Sequence, residues 1–257
     1  MAERSAIEWT EATWNPVTGC SKVSPGCAHC YAETISLRFG HSKKPWVPSN
    51  ATENVCLHPE RLDQPLRWRR PRAVFVNSMS DLFHDLVPDE FIAEVFRRMA
   101  LASRHTFQIL TKRPERMRDV VNRLYETDVE LSPGPLANVW LGTSIENSKF
   151  AWRAEPLRET SAAVRFVSAE PLLGPVAGAI NLTNIDWVIV GGESGHKHRA
   201  MQAGWVRELR DQCLSANVAY FFKQWGGRTP KAGGRELDGR TWDQMPELAN
   251  QPAIRVG

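Results

Sequence analysis

Six short apolar runs constrain this chain more than any other feature. They are AVFVNS (73–78), TFQILT (106–111), NVWLGTS (138–144), VRFVSAE (164–170), DWVIVGGES (186–194) and VAYFFKQWG (218–226). Each is too short for a buried helix and the right length for a buried strand. Their apolar residues are continuous, as in strands covered on both faces of a parallel sheet. Helical patterns lie between some of them. PDEFIAEVFRRMALAS (88–103) opens on Pro and two acids and carries Arg97 and Arg98 toward its end, the order that suits a helix dipole. PERMRDVVNRLYET (114–127) and AGWVRELRDQCLSAN (203–217) are similar. The alternation predicts an α/β fold with a parallel sheet.

Nearly every run ends in polar or small residues: Asn77 to Asp81, Thr111 to Arg113, Gly142 to Ser144, Ser168 to Glu170, Gly191 to Ser194 and Lys223 to Gly226. Parallel α/β folds bind ligands at the carboxyl ends of their strands. A ring of such ends predicts a TIM-like β/α barrel, whole or partial, with one large site at its top. Residues 1–226 are assigned to the barrel, with a Pro- and Arg-rich excursion at 40–72 that holds one short helix. Residues 227–257 are assigned to a C-terminal extension packed on it, wrapping the surface or ending in a small hairpin.

The chain has 257 residues, 42% hydrophobic and 24% charged, which is ordinary for a globular protein. Its net charge of +3 permits a nucleic-acid or phosphate partner without arguing for one. No stretch approaches the roughly 18 apolar residues of a membrane span. The segment MAERSAIEW is charged and lacks an apolar signal region. The expectation is a cytoplasmic protein without a membrane partner.

Five cysteines is an odd number, and three of them, Cys20, Cys27 and Cys30, fall within WNPVTGCSKVSPGCAHCYAE (14–33). That fits a disulfide framework poorly and metal binding or catalysis better. Thiolates are soft ligands that select zinc or iron–sulfur. A structural zinc wants four ligands, and the fourth here would be His29, His41 or Cys56. A four-iron cluster held by only three thiolates leaves one iron open to a substrate or cofactor. The segment precedes a helical pattern, YAETISLRFG, and follows a first strand around 7–17, which places it in a first βα loop. Cys213 lies mid-helix as a small core residue. Lys223 and Gln224 end an apolar strand and point into the cavity, where a buried lysine must meet an acid or a ligand. RWRRPR (67–72) and KRPERMR (112–118) are basic stretches of the kind that grip phosphates.

Three cysteines in that loop resemble the radical S-adenosylmethionine enzymes, with Cys-x6-Cys-x2-Cys here in place of the usual Cys-x3-Cys-x2-Cys. Together with NSMSDLFH, ILTKRPERM, WLGTSIEN, FVSAEPLLGP, VIVGGESG and FFKQWGG, the segment resembles the phage-associated three-Cys-motif family, a domain of unknown function. The resemblance implies that Cys20, Cys27 and Cys30 ligate a [4Fe–4S] cluster. S-adenosylmethionine would chelate the open iron and be cleaved to a 5′-deoxyadenosyl radical that acts on a substrate. A reducing partner such as flavodoxin or ferredoxin is implied, and DNA repair or modification is the activity suggested by analogy. His29 would lie near the adenine. The superfamily's Gly-Gly-Glu after the second strand is absent. Ser78, Ser80 and Asp81 occupy that place and would hold the ammonium. Lys112 would bind a cofactor carboxylate or a substrate phosphate, and Glu146 and Glu170 would meet ribose hydroxyls or substrate. Gly191 and Gly192 would allow close backbone approach. Glu193 joins the cofactor-binding candidates without the signature's role, and Lys223 joins them as a cavity residue. Two other functions stay open: a zinc-stabilised nucleic-acid-binding protein, and a barrel hydrolase with a metal on Asp81, Glu170 and Glu193.

Overall fold

A computed structural model describes residue 5 and residues 7–246. Seven strands form one sheet: β1 (Ala12–Trp14), β4 (Ala73–Val76), β5 (Thr106–Thr111), β6 (Val139–Ser144), β7 (Val164–Ala169), β8 (Trp187–Gly191) and β9 (Ala219–Gln224). Their order is β1-β4-β5-β6-β7-β8-β9, and every pair is parallel. The sheet curls into a half-barrel. Its two edge strands, β1 and β9, do not pair. The missing numbers, β2 (Val17–Thr18) and β3 (Cys56–Leu57), form a small antiparallel ribbon.

The apolar runs are continuous because both faces of the sheet are buried, by different partners. Val74, Val76, Phe107, Ile109, Leu141, Val167, Val188, Val190, Tyr220 and Phe222 pack with the helices. Those helices are α3 (Asp89–Leu101), α4 (Pro114–Thr127), α5 (Ala154–Glu159) and α6 (Ala203–Ser215). α3 buries Ile92, Val95, Phe96 and Met99, the spacing of one helical face. The alternate residues Phe75, Trp140, Val164, Phe166, Trp187, Ile189 and Phe221 face inward and pack around Trp9. Trp187 is the hub: its ring centroid lies 5.7 Å from Phe166, 5.9 Å from Trp140, 6.0 Å from Phe221 and 6.2 Å from Trp9. Three of these contacts are edge-to-face, the arrangement aromatic quadrupoles favour. Gly142 makes room for this layer, since a Cβ there would lie 2.5 Å from the Phe166 ring. The interior of the half-barrel is thus filled by this aromatic layer.

The first strand is shorter than the expected 7–17. Pro16 supplies no ladder N–H, and the Asn15 side chain turns to accept from the Met79 amide at 2.9 Å. The chain then leaves the sheet as β2. The excursion 40–72 holds a four-residue helix, α2 (Ala51–Asn54), together with the unforeseen β3 and three single 3₁₀ turns. After β9 the chain reverses at Asp238-Gly239, both with positive φ, and returns antiparallel along that strand. Phe222 N donates to Trp242 O at 2.9 Å, and the Trp242 ring meets Tyr220. This return covers an otherwise open sheet edge. Residues 247–257 of the expected extension lie outside the described residues. Among the described residues no helix is long and apolar enough to cross a membrane.

Candidate functional site

The cysteine segment lies between β2 and α1 (Tyr31–Arg38), with a 3₁₀ turn at Pro25–Cys27. Cys30 stands at the N-terminus of α1 with extended backbone. All five cysteines are free: Cys20, Cys27 and Cys30 half-buried, Cys56 exposed and Cys213 buried.

Three anchors tie this segment to the carboxyl edge of the sheet. The first is Asp81, just beyond β4. It accepts from Thr111 Oγ1 at 2.7 Å, the Phe83 and Lys112 amides at 3.0 and 3.2 Å, and Arg113 Nη1 at 3.0 Å. Arg113 in turn donates to Ser21 Oγ at 3.1 Å and lies 3.9 Å from Cys20 Sγ. Ser21 Oγ also meets His84 Nε2 at 2.8 Å. Burial, helped by the Asp81 charge and opposed by Arg113, pushes the Cys20 thiol up to about 12.

The second anchor is Glu146, which follows β6 and is fully buried. Arg153, equally buried, donates to it at 3.0 Å and to Ser144 O at 2.9 Å. Burial lowers the Arg153 guanidinium against the pull of Glu146. Ser24 Oγ donates to Glu146 at 2.5 Å and lies 3.7 Å from Cys27 Sγ. Gly26 packs so closely that a Cβ would lie 2.4 Å from Glu146 Oε1. Lys112 Nζ is more distant from Glu146, at 3.8 Å. The Cys30 thiol is raised by burial, opposed chiefly by hydrogen bonds from the Glu33 and Ala32 backbone.

The third anchor is Glu193, after β8. Arg199 meets it with its amide at 2.8 Å, Nε at 2.9 Å and Nη2, and His29 Nδ1 lies 3.1 Å away. Arg199 Nη2 also donates to Pro25 O at 3.0 Å. Burial alone would raise the Glu193 carboxyl. The Arg199 and His29 hydrogen bonds outweigh it and hold the group at about 2.

The remaining candidates sit as follows. Lys223 meets an acid, Glu170, at 2.5 Å. It does not share a cavity with Gln224, whose amide donates to Ser194 Oγ at 3.0 Å and which is buried among protein groups. Ser80 Oγ donates to Val17 O at 2.8 Å and Ser78 Oγ to Asn15 Oδ1 at 3.3 Å, so the hydroxyls tie the end of β4 to β2 and to the residue after β1. The space beside Gly191 is taken by Glu170 and that beside Gly192 by the Trp225 carbonyl. RWRRPR leads into the amino end of β4, at the opposite edge from the cysteines. In KRPERMR, Arg113, Arg116 and Arg118 are ion-paired. Sequence reasoning missed Ser21, Ser24, Arg153 and Arg199. The one usable signal was that Glu146 and Glu193, at ends of buried strands, need cations.

The model of one protein family matches residues 4–246, nearly the whole chain. The chain belongs to DUF5131, a family of proteins of unknown function. No curated protein and no solved structure matches it. Among the described residues no three His, Cys, Asp or Glu side chains converge closely enough to hold an ion as they stand. The donor set nonetheless suits a soft-metal group. Three free thiols share one segment.

Proposed function

We propose that this DUF5131 protein is a radical S-adenosylmethionine enzyme, with a partial TIM-like barrel whose first βα loop carries a [4Fe–4S] cluster on Cys20, Cys27 and Cys30. The observation that supports the reading is three free cysteines in one segment, which is hydrogen-bonded by Arg113, Glu146 and Glu193, residues that follow β5, β6 and β8 of a parallel half-barrel, and the carboxyl edge is where such folds bind ligands. Held by Cys20, Cys27 and Cys30, such a cluster would supply one-electron reduction of the sulfonium of S-adenosylmethionine, with the electron drawn from a reducing partner such as a flavodoxin or ferredoxin. The chain's own residues orient the loop: Arg113 at Cys20, Ser24 and Glu146 at Cys27, and Glu193 with Arg199 at Pro25 and His29. Lys223 pairs with Glu170 where β9 and β7 end, and this pair is assigned to cofactor or substrate.

Two features support this reading over its rivals. A structural zinc needs a fourth ligand, but His29 is held by Glu193, while His41 and Cys56 stand exposed. A hydrolase metal needs free carboxylates, but Asp81, Glu170 and Glu193 each face a cation. The test is anaerobic reconstitution with iron and sulfide, followed by EPR of the reduced protein with and without S-adenosylmethionine. About four irons and four sulfides per chain and a spectrum that changes with S-adenosylmethionine are expected. A single tight zinc, or a cluster indifferent to S-adenosylmethionine, overturns the reading.

A further inference from the structure

α1, which begins directly after Cys30, is turned inside out. It buries Ala32, Glu33 and Ser36 and exposes its large apolar residues. Tyr31 is 53% exposed, Ile35 39%, Leu37 38% and Phe39 65%, and Val23 of the cysteine segment adds 43%. Tyr31, Ile35 and Phe39 are spaced four apart, so they form one stripe along the helix. The inversion is built in. Glu33 points inward to accept from the Trp46 amide at 2.8 Å and to pair with Lys22 at 2.7 Å. Contiguous apolar surface of this kind marks an interaction site.

Its charge says what kind. Between Glu33 and Glu53 the chain contains no acid, but it does contain Arg38, Lys43 and Lys44. Lys44 is paired with Glu53. Arg38 and Lys43 are exposed and have no ion pair among the described residues, and the Arg38 guanidinium lies 5.7 Å from the Phe39 ring centroid. Exposed rings beside the unpaired cations Arg38 and Lys43 match what single-stranded nucleic acid needs: bases stack on the rings while phosphates meet the cations. A duplex hides its base faces and gains nothing from the rings. A second copy of the chain is a poor occupant, because five part-exposed side chains fall well short of the roughly 800 Å² per partner of a stable interface.

We propose that α1 is a platform for single-stranded nucleic acid, with Phe39 and Tyr31 stacking bases and Arg38 and Lys43 holding phosphates. Tyr31 fixes the near end of the platform at the site, since its hydroxyl donates to Ser78 O at 2.7 Å. The assignment names the substrate class for the radical reaction proposed above and rests on that reading for the chemistry, though not for the binding.

The test is fluorescence anisotropy of the full chain with a labelled oligodeoxynucleotide of roughly 15 nucleotides and its duplex, across a salt series. Single strands are expected to bind more tightly than duplex. Phe39→Ala should weaken single-strand binding roughly tenfold without changing its salt dependence. The double variant Arg38→Ala/Lys43→Ala should flatten the slope of log K against log salt by about 1.4, the value for two phosphate contacts on a single strand. Circular dichroism melts check that both variants fold, and Ile35→Ser serves if Phe39→Ala does not. Three outcomes overturn the proposal: no single-strand binding at low salt, binding indifferent to both variants, or a concentration-dependent dimer that Phe39→Ala abolishes. The EPR test is independent. A missing cluster with retained oligonucleotide binding sinks the radical reading alone, and a competent cluster without oligonucleotide binding sinks the platform alone.

Discussion

Glu193 shows how single side chains set this site. Its carboxyl carries three hydrogen bonds from Arg199 and one from His29, and Arg199 continues to Pro25 O. One acid on the sheet therefore fixes both sides of the cysteine turn. Its folded-state pKa of about 2 lies below the value of about 4.3 expected when unfolded. A depressed acid contributes stability that is fully present above the unfolded value and is lost as pH falls toward the folded one. Glu193→Gln should therefore cost roughly 2 kcal/mol near neutral pH, discounted for the part exposure of Arg199. The gap to the parent protein should narrow below about pH 4.5 and close near pH 2. Urea unfolding of both proteins across that range measures it, and a gap that does not move with pH would show that the carboxylate charge is not what holds the turn. Glu146 works differently. It is fully buried with a fully buried arginine, a pair whose loss strands a charge but whose presence is weak evidence for stability. Its consequence is positional: it fixes Ser24 and leaves no room for a side chain at Gly26.

At the scale of elements, the inner aromatic layer holds the curl of the sheet. Trp187 joins β8 to rings from β6, β7, β9 and the Trp9 segment. Trp187→Ala should cost about 3–5 kcal/mol in urea unfolding, and a loss under 1 kcal/mol would mean the layer is not load-sharing. The strands themselves were legible. TFQILT is β5 residue for residue, and 114–127 is α4. Buried strands and a long amphipathic helix announce themselves through local composition and period. Which strand residues face inward was not legible, because a run buried on both faces has no alternation to read. Short elements escaped as well: α5 has six residues and β2 and β3 have two each, too few to show a period. Within the site, the cysteines were visible from their clustering. Their anchors were not, because Ser24 meets Glu146 across 122 residues and His29 meets Glu193 across 164. Nothing local marks such pairs. The inversion of α1 was hidden for the same reason: the Trp46 amide and Lys22, which draw Glu33 inward, lie outside the helix.

The whole molecule separates two poles. The carboxyl edge carries the cysteine segment, its three anchors and α1. The amino edge carries the exposed arginines Arg67, Arg69 and Arg70. What the metal contributes to the fold distinguishes the readings at this scale. In a structural zinc site the binding energy of the metal is folding energy, and the chain without it does not fold. Here protein groups themselves hold the cysteine segment: Arg113 on Ser21, Glu146 on Ser24, and Glu193 with Arg199 on His29 and Pro25. The core beneath it includes no cysteine of the segment. Replacing Cys20, Cys27 and Cys30 together by Ser should therefore remove no more than about 1–2 kcal/mol and leave the urea m-value unchanged. The same variant should bind no iron after reconstitution. Unfolding of the triple variant, or a collapse of its cooperativity, would make the cysteines a structural knuckle and move the search for chemistry to Lys223, Glu170 and the α1 platform. A folded, iron-free and inactive variant would assign the three thiols to the reaction rather than to the fold.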